Sequence, residues 1–264
     1  MSRFSGLSGI RDISHFITTR HGGVSTGAFA SMNPGEYSGD EKESVRKNRE
    51  LLAQEVGLPA GRIFAPFQTH EDRVKALDAR FLGMSQDEQA SFLQGVDALV
   101  TDVPEVCVAV STADCVPLLL YAPDQGVVAA VHAGWRGTVL RIAAKTVRFM
   151  ADRYGCDPGL ICAGIGPSIG REAFEVGEEV VEAFRACDFD MNLVCMRNPA
   201  TGKAHIDLWE ANRSLLMIAG LSSDRIEISG ICTYTRHADY FSARRLGIKS
   251  GRILSGIYLR KSTE

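Results

Sequence analysis

The stretch VCVAVSTADCVPLLLYAPDQGVVAAVHAGWRGT, residues 106–138, decides the fold. It holds three short apolar runs, 106–111, 116–121 and 127–132, each of strand length and rich in valine, leucine and alanine. Their apolar character is nearly continuous instead of alternating, which predicts sheets covered on both faces. Ala122-Pro123-Asp124-Gln125-Gly126 supplies hairpin turn chemistry between the second run and the third. Thr138 is placed to cap a helix reaching Tyr154, with Leu140, Ala143, Ala144, Val147 and Met150 along its apolar side.

Outward from this block, apolar runs alternate with amphipathic segments. Upstream, 44–56 reads as a helix with Ser44 as N-cap and Gly57 as its stop, and 63–67 and 74–78 read as strands. Downstream, 160–165, 225–229 and 253–259 read as strands, and 176–186 and 208–219 as helices. No linker, charge block or repeat interrupts the pattern. It predicts one domain over residues 1–264, of α+β or mixed α/β class.

Composition narrows the function. The chain is 45% hydrophobic and 23% charged, with net charge -3 and both signs interspersed, which argues against a general nucleic-acid binder. Met1-Ser2-Arg3-Phe4-Ser5-Gly6 shows no apolar signal region, and no apolar run has the length of a membrane span. The seven cysteines (107, 115, 156, 162, 187, 195 and 232) are odd in number and form no CxxC. That usage predicts a reducing, cytoplasmic setting without a disulfide framework. Cys107 and Cys162 lie in strand-like apolar runs and read as core.

Cys115 has different neighbours. It follows Asp114 at the entrance to a strand, and His132 ends the next strand just before Ala133-Gly134-Trp135-Arg136-Gly137. If those strands pair, Cys115 and His132 emerge at the same end of the sheet. Gln68-Thr69-His70 adds a third soft ligand after another strand-like run. Two imidazoles and a thiolate suit Zn²⁺ and leave its fourth position open, as at catalytic sites. The same residues admit a Cys115 nucleophile with His132 as base. Asp114 is not a natural orienter for that pair, because strand neighbours point to opposite faces.

Other segments offer anion chemistry. Thr18-Thr19-Arg20-His21-Gly22-Gly23 can present a guanidinium and backbone N–H groups, or form a plain turn. Asn33 and Asp40 follow in a polar loop. Tyr240-Phe241-Ser242-Ala243-Arg244-Arg245 couples aromatic rings to two arginines, a set suited to bases and oxyanions or to an ordinary surface. Gly164-Ile165-Gly166-Pro167-Ser168-Ile169-Gly170 lacks the dinucleotide spacing and carries no cofactor role.

HAGWRGT, TADCVP, QTH and TTRHGGVS together resemble the YfiH-like family, whose members go by polyphenol oxidoreductase (laccase), purine nucleoside phosphorylase and adenosine deaminase. The resemblance runs from Phe16 through Asn48-Arg49, Asp97-Ala98-Leu99-Val100-Thr101, Phe174-Glu175-Val176-Gly177 and Asp207-Leu208 to Arg245. It implies a four-layer α-β-β-α sandwich similar to that of certain bacterial toxin deamidases. It implies His70, Cys115 and His132 as zinc ligands and as the catalytic centre. The implied chemistry is phosphorolysis of adenosine, inosine and methylthioadenosine, with some adenosine deamination. Tyr37 stands where many members have a loop histidine, and Arg171-Glu172-Ala173 where many have a cysteine pair; both departures bear on the pocket rim.

On this basis Arg20, Asn33, Gln68, Asp114 and Arg244 are expected at the substrate, with phosphate held by Arg20, the glycine turn and Arg244. Asp114 is a candidate for proton transfer and Gln68 for hydrogen bonding. Copper also suits a His₂Cys set. A multicopper laccase, however, needs several His-x-His pairs, and the six histidines here form none. A metal-free Cys–His hydrolase or deamidase, and a non-catalytic nucleoside sensor, are the remaining rivals.

Overall fold

Alternation along the central strands sets the layers of the fold. The computed structural model describes residues 1–261. In β6 (Val116–Ala122) and β7 (Val127–Ala133), Val116, Leu118, Leu120, Val127, Ala129 and Val131 join one core. Their neighbours Leu119, Tyr121, Val128 and Ala130 join a second. Each strand therefore buries both faces, as period-2 geometry requires of an inner sheet. In β5 (Cys107–Thr112), Val108 and Val110 face the second core while Cys107 and Ala109 face a third. Three cores separate four layers, with helices outermost and two sheets between.

One sheet has six strands in the order β12-β8-β6-β7-β4-β3. Its remaining members are β3 (Val74–Ala76), β4 (Ala98–Thr101), β8 (Cys162–Ile165) and β12 (Ile226–Ile228). The facing sheet has four strands, β1-β13-β5-β2, with β1 Ile13–Ile17, β2 Ile63–Phe64 and β13 Ile253–Leu259. A small ribbon adds β9 (Glu175–Val176), β10 (Cys195–Arg197) and β11 (Ala204–Ile206). Helices Ile142–Tyr154, Glu178–Ala186 and Leu208–Ile218 cover the six-stranded sheet through Val147, Phe184 and Leu215. Helix Lys42–Val56 covers the other through Leu52 and Ala53. The fold is thus mixed α/β with the expected α-β-β-α layering. Among the described residues no helix is long and apolar enough to cross a membrane.

The chain passes between the sheets at one tight corner. β5 pairs with β13 and β2 in one sheet, while β6 belongs to the other. Residues 113–115 make the crossing, and Asp114 takes a left-handed φ of 87° to turn it.

Several boundaries differ from the sequence reading for local reasons. The first long helix starts at Lys42 after Glu41, so Ser44 lies inside its first turn and does not cap it. Gly57 does end it, at φ 74°. Thr138 caps nothing: a short helix Trp135–Val139 precedes a left-handed Arg141, and the long helix starts only at Ile142. The Thr138 hydroxyl instead accepts the Asn212 amide at 3.0 Å inside the helical layer. Val176 belongs to a strand, so the following helix starts at Glu178 after Gly177. The strands expected at 63–67 and 74–78 shrink to two and three residues, because Pro66 and Phe67 turn to the cleft and Asp78 caps the helix Ala79–Leu82.

One buried histidine makes folding pH-sensitive. His15 on β1 accepts the Phe4 amide through Nε2 at 2.8 Å and stacks on the Phe4 ring. Burial, with Arg3 adding to it and Glu227 opposing, lowers its pKa to about 4. Between about pH 6.5 and 4 the unfolded chain therefore binds the extra proton, and stability drops as pH falls through that window. The loss should be about 2 kcal/mol after discounting for solvent screening. Urea unfolding at several pH values should show it. His15→Gln, which keeps an acceptor for Phe4, should flatten this part of the profile.

Candidate metal centre

Strand register brings the first two donors together. Pro117 pairs with His132 and Val116 with Ala133, so Cys115 and His132 do emerge at one end of the β6–β7 hairpin. His70 arrives from the loop between β2 and β3, where Phe67 bridges to Gln94. Its backbone sits at φ 63°, a strained setting for a residue with a Cβ. The three donor atoms lie within 4.8 Å of one another. The two imidazole planes meet nearly edge to face, with centroids 4.9 Å apart. Gly134 is required here, because a Cβ would come within 3.0 Å of Cys115 Sγ and 3.3 Å of the His70 ring.

A fourth residue, fully buried Asp97, organises the three. One carboxylate oxygen accepts His132 Nδ1 at 2.7 Å and the His70 amide at 3.0 Å. The other accepts the amides of Glu71 at 3.0 Å and Thr69 at 3.2 Å. One side chain thus orients a ligand ring, leaving Nε2 free toward the cluster, and holds the strained loop carrying another ligand. Burial opposes its charge, yet His132 and these amides keep the carboxyl below its usual range.

The electrostatics favour a thiolate. Burial works against ionising Cys115, but His132 and then His70 outweigh it and bring the thiol down to about 6. Burial works against protonating His132, but Cys115 and then Asp97 raise it to about 9. Cys107, by contrast, has its thiol pushed far up by burial and is inert core, as its sequence setting predicts.

The triad forms part of the wall of a cleft of about 770 Å³, large enough for a nucleoside-sized ligand. His70 is exposed to it, Cys115 half-buried and His132 buried, so the donors face open space on one side. Tyr37, Phe67, Trp135, Ile169 and Phe174 give the cleft apolar and aromatic walls. Gln68, Asp114 and Arg244 also line it. Gln68 is pinned by paired bonds to the Ser111 backbone. Asp114 accepts the Thr233 hydroxyl at 2.7 Å and the Arg244 amide at 2.7 Å. The Arg244 side chain donates to the carbonyls of Glu175 and Ala173 at the rim.

Two expected substrate residues sit elsewhere. Arg20 is absent from the cleft wall: its guanidinium donates to the carbonyls of Ala30 and His237 and stacks over Phe241. The adjoining glycine turn packs against Asn48, with no space for a Cβ at Gly23. Asn33 is fully buried beneath the loop that carries Gly35, Tyr37 and Ser38 to the cleft. Arg252, overlooked in the sequence, does line the cleft.

Fold and site together define a metal-centre α/β protein with an open cleft at the junction of two sheets. A family model described as multi-copper polyphenol oxidoreductase laccase matches residues 14–260. A purine nucleoside phosphorylase of Bacteroides thetaiotaomicron is 48% identical over 261 residues, covering 99% of this chain and 97% of its own. The protein named adenosine deaminase RL5, from an unknown prokaryotic organism, is 46% identical over 249 residues, covering 94% and 95%. The crystal structure of YlmD from Geobacillus stearothermophilus matches with a TM-score of 0.88 at 35% identity, covering 95% and 93%. The chain belongs to this polyphenol oxidoreductase family, with its YfiH and YlmD members.

Asp97→Asn should separate the organiser from the ligands. An amide presents its own N–H groups to a cage of donors, so metal affinity should fall about 10- to 100-fold. Stability should drop by about 3 kcal/mol. Competition against a chromophoric chelator and a thermal melt measure the two effects. Affinity within twofold of the unmodified protein would exclude the organising role.

Proposed function

We propose that this protein is a zinc-dependent purine nucleoside phosphorylase acting on adenosine, inosine and methylthioadenosine, with adenosine deamination as a second activity of the same cleft. The observation that carries the reading is the His70, Cys115 and His132 cluster at the wall of a nucleoside-sized cleft. The donors fit the ion: two nitrogens and a sulfur already poised as thiolate, with room at Gly134 that a Cβ would fill. Zinc there would supply Lewis acidity and a template for substrate oxygens. The names of the 48% and 46% identical relatives support the substrate class. We read residues 1–264 as one domain, since β1 and β13, from opposite ends of the chain, pair in one sheet, and place it in the cytoplasm on its free cysteines.

The protein's own groups have definable tasks. The aromatic and aliphatic walls receive the purine and exclude water from it. In phosphorolysis a phosphate oxygen bonds to the anomeric carbon while the bond to the base nitrogen breaks, its electron pair leaving with the base. The departing base needs a proton. Asp114 is the only carboxylate among the residues lining the cleft and the natural group to relay one. Gln68, held rigid by Ser111, is a fixed polar contact beside the triad.

A copper oxidase is less well supported. Among the described residues the triad is the only cluster of metal-binding donors, and His15, His21, His205 and His237 lie outside it. A metal-free Cys–His hydrolase draws on the lowered Cys115 thiol.

Incubating purified protein with adenosine, with and without phosphate, and weighing the products tests these readings. Adenine and ribose 1-phosphate should form with phosphate, and inosine without it. Chelation should stop both, and zinc should restore them. Neither free base nor inosine under either condition would sink the nucleoside reading. Activity that survives chelation but not Cys115 alkylation would establish the metal-free hydrolase instead.

A further inference from the structure

We propose that Arg252 is the oxyanion-binding side chain of the cleft and that it holds the inorganic phosphate consumed in phosphorolysis, an inference that rests on the nucleoside phosphorylase reading for the anion's identity. Arg252 stands one residue before β13 and lines the same cleft as the triad. Its side chain is half-buried and makes no ion pair with a carboxylate among the described residues. Nη1 donates to the carbonyls of Ser250 and Gly251, and Nη2 to that of Ile248. Carbonyls satisfy donors without neutralising charge, so a partly desolvated guanidinium remains positive at the cleft wall. Burial accordingly works against its protonated form, with Cys115 and Asp114 the nearest negative influences.

The donors left over have the right arrangement. Nε makes no hydrogen bond among the described residues and Nη2 makes one. The Nε–Nη2 edge of a guanidinium is a two-pronged fork matched to a carboxylate or phosphate. Asp114 is not its partner, being bonded to the Thr233 hydroxyl and the Arg244 amide.

The loop beneath is built around this side chain. Fully buried Asn33 accepts the Arg252 amide at 2.9 Å and the Gly35 amide at 3.3 Å through Oδ1. Its amide group donates to Ser38 Oγ and Asp40 Oδ2, both at 2.9 Å. Gly35 lies flush on the stem of Arg252, where a Cβ would come within 2.8 Å of Arg252 Cβ. Asn33 and Gly35 are thus positioning residues for Arg252. The other cleft arginine, Arg244, is solvent-exposed and lies over the Phe174 ring, so water screens its charge where Arg252 is partly desolvated, and Arg20 is outside the cleft.

Titrating inorganic phosphate into the nucleoside-free protein, followed by calorimetry and ³¹P line broadening, reads the site without turnover. The unmodified protein should bind phosphate saturably, Arg252→Lys about tenfold or more weakly, and Arg252→Gln not detectably. Gly35→Ala should weaken binding several-fold without removing a charge, and Arg20→Gln should stay within about twofold. Thermal melts of each variant check folding; if Arg252→Gln does not fold, Arg252→Lys decides. In turnover, Arg252→Lys should raise KM for phosphate about tenfold while KM for inosine moves less than about threefold. Equal phosphate affinity in Arg252→Lys and the unmodified protein, or no saturable binding in the latter, overturns the inference. Phosphate binding that depends on Arg252 in a protein inert toward nucleosides would keep the oxyanion site and remove the phosphorylase reading, so the two fail separately.

Discussion

The carboxylate of Asp97 is the interaction on which the site depends. A buried charge is costly unless every lone-pair direction is used, and Asp97 meets that condition with three backbone amides and one imidazole. Those bonds join β4, where Asp97 stands at the entrance, to the β2–β3 loop and to β7. The backbone adds two more ties: the His132 amide donates to the Asp97 carbonyl at 2.8 Å and the Asp97 amide to Arg73 at 3.0 Å. The left-handed strain at His70 persists because this cage over-determines it. A loop that would otherwise fray is thereby held to the precision a metal ligand needs.

The second constraint is register. β6 and β7 are buried on both faces, so a slip by one residue would exchange the two cores and is strongly disfavoured. The same register fixes Cys115 against His132 at the hairpin's end. Packing far from the cleft therefore sets the spacing of two ligands, and the corner at Asp114 sets the direction from which Cys115 approaches. The sandwich and the metal centre are one solution to the same alternation of side chains.

What was legible in the sequence follows from this division. The runs at 106–132 gave away the inner strands because continuous apolar character survives any detail of packing. His70, Cys115 and His132 stood out because their chemistry is unusual at strand ends. Asp97 did not, since an acid before an apolar run usually marks a turn. Beside its place in the segment that carries the family resemblance, its signal is a lone charge abutting Ala98, Leu99 and Val100, all fully buried. Arg20 was misplaced for the opposite reason: paired glycines look like an anion cradle, yet here they permit close packing of Gly23 on Asn48. Arg252 was silent because its role comes from Asn33 and Gly35, more than two hundred positions away. Local pattern fixes elements, while long-range contact decides which of several similar arginines faces the cleft.

Electrostatics explain why this wall of the cleft suits a divalent ion. His132 and His70 favour the Cys115 thiolate, and Cys115 and Asp97 favour a proton on His132. A cation held by His70, Cys115 and His132 would take the place of that proton, with Asp97 still holding His132 at Nδ1. The Arg252 side chain hydrogen-bonds only to carbonyls, with Cys115 and Asp114 its nearest negative influences. The cleft wall thus carries a group of donors that could hold a cation and, apart from it, a fixed guanidinium. The loop at Asn33 holds Arg252 in place, through the bond to its amide and the close approach of Gly35 to its stem.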